Sequence, residues 1–344
     1  MTTIFTEMEQ TTRAMLARGK GILAADESTG TIDKRFKGAG IANTEENRRD
    51  YREMLFTTPG MANHTSGVIL FEETLFQKAR NNTPLSEVLS RQGVVPGIKV
   101  DKGTIAQPFC AGEVITVGLD GLDERLLKYK AAGARFAKWR AVITIGAGIP
   151  TQSNITANAQ ALARYAALCQ AAGIVPIVEP EVLMDADNTI DTCFSVTECT
   201  LRTVFAELAI HRVSLEHMVL KPNMVVSGKK CPTQAGIDEV ASKTLVVLKR
   251  TVPGAVPGIA FLSGGQSDED ATAHLGAMNA KGALPWVLTF SYGRALQAPA
   301  IKAWAGKEAN WKSGQAHFLH RAKLNGAAQT GTYSTAMEKQ FATV

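Results

Sequence analysis

Met218-Val219-Leu220-Lys221-Pro222-Asn223 runs apolar and then stops on a single lysine, with a proline closing the run. The same grammar recurs upstream in Phe136-Ala137-Lys138-Trp139-Arg140 and in Ile177-Val178-Glu179-Pro180-Glu181. Each reads as a short buried strand that ends on charge. Removing an ion from water is costly unless it is paired. One strand-end charge is an ordinary salt bridge. Two lysines, an arginine and two glutamates at the ends of consecutive strands read as a reaction centre.

Working outward, short β-rich runs alternate with longer helical patterns. Strands are expected near Gly21–Ala25, Gly67–Phe71, Gly97–Val100, Ala134–Trp139, Val175–Val178, Met218–Leu220, Ile259–Leu262 and Trp286–Phe290. Between them, Leu162, Tyr165, Ala166 and Cys169 repeat at helical spacing, as do Phe194, Leu201, Val204, Phe205 and Leu208. Gly133 and Gly173 stand where a helix should stop before the next strand. Eight strand-then-helix units in one register predict an α/β fold, a single closed (β/α)8 TIM barrel over about residues 20–305. Residues 5–19 predict an extra N-terminal helix. Residues 306–344 predict C-terminal helices and then a mobile polar tail from Thr330. The stretch from Lys102 to Gly121 predicts an irregular loop with a turn of its own. No linker divides the chain, so residues 1–344 are expected to form one domain.

Composition narrows the function. With 45% hydrophobic and 20% charged residues in 344, this is the make-up of a globular protein with a sizeable core. The net charge of +5 is mild and spread along the chain, which disfavours nucleic acid as a partner. No run of about twenty apolar residues exists to cross a membrane as a helix. The polar N-terminus lacks an apolar signal core, so a cytoplasmic location is expected. Cys110, Cys169, Cys193, Cys199 and Cys231 are scattered and odd in number, a reduced intracellular pattern. His317 and His320 sit three apart without other ligands nearby, and neither a metal nor any other cofactor is expected.

In a barrel of this kind the reacting groups sit at the C-terminal ends of the strands. Those ends carry Asp26 and Glu27, then Lys99, Asp101 and Lys102, then Lys138 and Arg140, Glu179 and Glu181, and Lys221. A spacing of two puts Lys138 with Arg140, and Glu179 with Glu181, on one face. A lysine attacks a carbonyl only when neutral, although its reference pKa is about 10.4. Nearby cations and an apolar seat favour that form, which makes Lys221 the first choice for a Schiff base. Lys138 satisfies the same physical criteria, so the choice between the two stays open. Glu179 suits proton transfer as carbinolamine becomes imine, and Asp26 suits removal of a hydroxyl proton. After the seventh and eighth strands come Leu262-Ser263-Gly264-Gly265-Gln266-Ser267 and Phe290-Ser291-Tyr292-Gly293-Arg294, turns of the kind that hold phosphate. Ser28-Thr29-Gly30-Thr31, with Lys34 and Arg35, could hold a second anion.

Seven ordered motifs, from Gly21-Ile22-Leu23-Ala24-Ala25-Asp26-Glu27-Ser28-Thr29-Gly30 to Ser291-Tyr292-Gly293-Arg294-Ala295-Leu296-Gln297, resemble class I fructose-bisphosphate aldolase, the metal-free Schiff-base type. The resemblance implies reversible cleavage of fructose 1,6-bisphosphate to dihydroxyacetone phosphate and glyceraldehyde 3-phosphate, in glycolysis and gluconeogenesis. It implies Lys221 as the imine-forming residue, Glu179 as its acid/base partner, and Lys138 and Glu181 as support. It implies Asp26 as the group that acts on the substrate hydroxyl. Ser263, Gly264, Gly293 and Arg294 would hold one phosphate, with Ser28, Thr31, Lys102 and Arg140 nearer the other. It also implies a homotetramer. Two departures stand out. The chain ends Phe341-Ala342-Thr343-Val344 where eukaryotic members end on tyrosine, so Tyr333 is the last tyrosine available as a tail base. His217 occupies a position usually held by a small residue and is expected to face away from the chemistry. The competing readings are another Schiff-base barrel for a different phosphosugar or keto acid, a non-catalytic scaffold, and a zinc-dependent aldolase.

Overall fold

The computed structural model describes residues 2–341. Ten strands form in chain order: β1 (Gly21–Ala25), β2 (Thr65–Leu70), β3 (Val95–Lys99), β4 (Thr104–Ala106), β5 (Val114–Thr116), β6 (Phe136–Ile143), β7 (Val175–Val182), β8 (Val219–Leu220), β9 (Gly258–Phe261) and β10 (Val287–Tyr292). Eight of them close a parallel barrel in the order β1-β10-β9-β8-β7-β6-β3-β2. The expected TIM barrel is therefore what the chain builds. The stretch read as an irregular loop from Lys102 contains an antiparallel hairpin, β4 with β5. Three-residue strands are too short to announce themselves by alternation.

Alternation decides which side chains enter the barrel. Ile22, Ile69, Phe136, Val175, Ile177, Val219 and Ala260 form one inner cluster with Met8, Met15 and Leu16 of the N-terminal helix Thr2–Met15. That helix thus plugs the N-terminal end of the barrel. The opposite residues, such as Leu23, Ala137, Trp139, Val178 and Leu220, belong to the outer core beneath the surrounding helices. Thr44, Thr151, Thr189 and Ser267 start four of those helices by accepting a backbone amide in the first turn.

β6 and β7 pair over eight residues, from Phe136 with Val175 to Ile143 with Val182. They run further than alternation near the charged residues implies, so Arg140, Glu179 and Glu181 are inside the strands. β7 tolerates Pro180 because β8 pairs only with Ile177 and Val178 and has ended before the proline.

At the C-terminus, the helix Trp311–Gln329 is followed by a short 3-10 turn, Thr335–Lys339. Arg321 pairs with Glu338 at 2.6 Å, and the Tyr333 hydroxyl donates to the same carboxylate at 2.8 Å. The Phe341 ring lies 4.5 Å from His317 and 5.0 Å from His320. These contacts dock the first part of the polar tail, and the rest of the expected mobile segment lies outside the described residues.

Gly97 is the tightest point of the inner layer. A Cβ there would stand 2.2 Å from the Phe136 ring, which fills the space between β3 and β6. Gly97→Ala is expected to lower stability by about 1 to 3 kcal/mol through overpacking, read as a lower urea midpoint at unchanged slope.

Candidate active site

The interior changes character along the strands. Above the apolar layers, Asp26, Lys99, Lys138, Arg140, Glu179, Glu181 and Lys221 converge on a cavity of about 320 Å³ at the C-terminal end of the barrel. Lys138 sits at its centre, buried. Its Nζ lies 2.8 Å from Asp26 Oδ2, 3.3 Å from Glu179 Oε2 and 4.0 Å from Asp101 Oδ2. Lys221 Nζ lies 3.1 Å from Glu179 Oε1, its only carboxylate contact within ion-pair range among the described residues. Glu179 therefore stands between two lysines. Its Oε2, though close to Lys138, is buried and accepts no hydrogen bond. The Asp101 carboxylate pairs with the Lys99 ammonium at 2.7 Å, Lys99 Nζ donates to the Asp101 carbonyl at 3.0 Å, and Arg140 Nε donates to Glu181.

Burial works against both ions of the central pair, and the neighbours overcome it. For Asp26, desolvation is outweighed by the Lys138, Lys221 and Lys99 ammonium groups, which hold its carboxyl well below the usual carboxylate range. For Lys138, desolvation is outweighed by Asp26, Glu179 and Asp101, which raise it well above the ordinary lysine value. Lys138 is consequently locked as ammonium.

The rim of the cavity is built differently. Ser263, Gly264, Gly265, Ser291, Gly293 and Arg294 line one side. There the helix Arg294–Trp304 begins and turns its open N–H groups toward the mouth. The Arg294 guanidinium donates to the Gln266 carbonyl and stands 3.3 Å from Asp268. Ser28, Thr31 and Arg35 line the adjoining stretch of the mouth at the start of the helix Thr29–Lys37, where β1 neighbours β10 and the Arg35 guanidinium approaches Gly293. Ser28 makes no side-chain cap, and its Oγ lies 3.2 Å from Thr31 Oγ1.

Of the two basic residues after Thr31, Arg35 enters the mouth and pairs with Glu27, while Lys34 is exposed. Lys102 is the expected phosphate residue that stays outside. Its backbone N–H pairs with Val117, and the hairpin carries its ammonium outward to Glu72 at 3.0 Å. Lys99 and Glu27 were visible as strand ends but had no assigned role, and only the pairing with Asp101 and Arg35 reveals where they act. Tyr333 is held by Glu338 and does not line the cavity. His217 sits in the 3-10 turn before β8, against Ser214 and Phe5, at the opposite end of the barrel. The described residues contain no cluster of three or more His, Cys, Asp or Glu able to hold a metal.

A family model for class-I fructose-bisphosphate aldolase matches residues 7–343. This chain belongs to that family. A protein of Xanthomonas campestris pv. campestris named "Probable fructose-bisphosphate aldolase class 1" is 55% identical over 330 residues, covering 95% of this chain and 98% of its own length. "Fructose-bisphosphate aldolase 5, cytosolic" of Arabidopsis thaliana is 54% identical over 329 residues, 95% of this chain and 92% of its own. The crystal structure of fructose-bisphosphate aldolase from Plasmodium falciparum, in complex with TRAP and a small-molecule inhibitor, superposes with a TM-score of 0.95. It is 48% identical and covers 96% of each chain. The resemblance read from the seven motifs is thus borne out. Membership makes this chain a lyase, a glycolytic aldolase whose substrate is a phosphorylated sugar.

The central pair has a definite pH signature. The depressed Asp26 carboxyl stabilises the fold above the ordinary Asp pKa of about 3.9, and that contribution is lost as pH falls through the lower folded value. The raised Lys138 contributes below the ordinary value of about 10.4 and is lost as pH rises through the higher folded one. Lys138→Met leaves buried carboxylates without their cation. It should cost about 3 to 5 kcal/mol at neutral pH, with the deficit shrinking below about pH 4, as urea unfolding across pH would record.

Proposed function

We propose that Lys221 is the imine-forming nucleophile for fructose 1,6-bisphosphate, with Glu179 as its proton partner and Asp26 as the base that breaks the carbon–carbon bond. One observation carries this reading: the two lysines share Glu179 but not the same surroundings. Lys138, with three carboxylates around it, is held as the cation. Lys221 has one carboxylate, placed at 3.1 Å to take its proton. This difference in surroundings supports Lys221 over Lys138 as the nucleophile.

The chemistry follows from the contacts. Lys221 gives a proton to Glu179 and attacks the ketone carbon. The carbinolamine hydroxyl leaves as water with a proton from Glu179, whose Oε2 accepts no hydrogen bond and can accept or return the proton. Asp26, kept ionised by Lys138, removes the proton of the hydroxyl on the far side of the scissile bond. The bonding electrons flow into the iminium, releasing the aldehyde and leaving an enamine on Lys221. Lys138 stays charged and offsets negative charge that develops at the cleaved bond. Glu181 orients Arg140 beside the same mouth.

Ser263, Gly264, Gly293 and Arg294 would grip one phosphate at the N-terminus of the helix that Gly293 and Arg294 begin. Ser28, Thr31 and Arg140 would lie toward the other, with Arg35 added and Lys102 at the rim. We further propose one domain over residues 1–344, a cytoplasmic location and a homotetramer. Five free cysteines and the cytosolic plant relative support the location. The exposure of Phe109 and of Ile105, both within the hairpin segment, supports burial of that hairpin between subunits.

Borohydride reduction with dihydroxyacetone phosphate in excess chelator, followed by peptide mapping, tests the assignment. A triose adduct is expected on Lys221, and Lys221→Met should lower kcat by about 10⁴-fold or more. An adduct on Lys138 would reverse the two roles, and no adduct on either lysine would sink the proposal.

A further inference from the structure

β8 is the shortest barrel strand, yet it carries Lys221. Its ladder to β7 consists of Ile177 with Val219 and Val178 with Leu220, and ends as Lys221 N–H donates to the Val178 carbonyl at 2.8 Å. The next position on β7 facing β8 is Pro180, which has no N–H, and Pro222 takes the chain out of β8. Residues 221–228 are then buried without regular structure. Backbone buried in this way must find its partners outside a regular ladder, as Pro222 does when its carbonyl accepts from the Leu262 N–H.

Asn223 supplies one. Its Oδ1 accepts from the Val182 N–H at 3.0 Å, where a continued β8 would have offered a carbonyl. Its Nδ2 donates to Thr197 Oγ1 on the helix Ile190–Ile210 at 3.1 Å and to the Met224 carbonyl at 3.0 Å. Asn223 is 5% exposed and Thr197 2%. The amide therefore clips together the strand bearing Glu179, the turn bearing Lys221 and the helix behind both. We propose that Asn223 is a positioning residue: its side chain replaces the missing rungs between β7 and β8 and so sets Lys221 against Glu179. The inference rests on Lys221 being the imine-forming lysine.

The test compares wild type, Asn223→Ala and Thr197→Val. It measures the rate of borohydride-trapped adduct formation with dihydroxyacetone phosphate and the affinity for hexitol 1,6-bisphosphate, which has no carbonyl to attack. In Asn223→Ala, trapping and kcat should slow by about tenfold to a hundredfold while hexitol bisphosphate affinity stays within about twofold. Thr197→Val, which removes only the tether to the helix, should show a smaller loss with the same split. Wild-type trapping in folded Asn223→Ala would overturn the proposal, as would an equal loss of hexitol bisphosphate binding. Should Asn223→Ala fail to fold, Thr197→Val decides: slowed trapping supports the clip, and a wild-type rate refutes it. Absence of a Lys221 adduct in the wild-type enzyme would instead remove the reading of Lys221, and the clip with it.

Discussion

Lys138 is buried among Asp26, Glu179 and Asp101, and the mouth of the barrel depends on that one cation. Without it three carboxylates would share a poorly solvated space, and at least one would have to take up a proton. The balance extends outward, since Asp101 is also shared with Lys99 and Glu179 with Lys221. Arg140 with Glu181 closes the set. Opposite charges alternate through the centre, so proton transfer between neighbours moves little net charge in a site where water screens weakly.

The rim of the cavity beside β1 and β10 follows another rule. Its polarity comes largely from backbone, with helices opening at Ser28 and at Gly293. Arg35 and Arg294 stand there already engaged, one with Glu27 and the other with the Gln266 carbonyl and Asp268. A doubly phosphorylated sugar fits this division. The charge balance at the centre is left for carbonyl chemistry.

Much of this was legible in the chain. The alternation of strand and helix patterns determined the barrel, because apolar periodicity is local and survives without tertiary information. Charges at consecutive strand ends named Asp26, Lys138, Glu179 and Lys221, because a buried strand has no stabilising use for them. The hairpin within residues 102–121 escaped notice because its strands are three residues long. Lys102 belongs to the strand-end motif, but the hairpin stem turns it toward Glu72. Arg35 and Lys34 are adjacent in sequence, and only the helix between Thr29 and Lys37 decides which one faces the mouth.

What the sequence determined by itself is the fold class and the candidate charged groups at the strand ends, since both follow from residue types at short, regular spacing. What only tertiary structure decided is the state of those groups. Lys138 and Lys221 are equivalent as strand-end lysines and become different through the number of carboxylates that the closed barrel brings to each. Those carboxylates come from β1, the end of β3 and β7, strands separated by many residues. Electrostatic environment depends on distance in space, and distance in sequence does not report it.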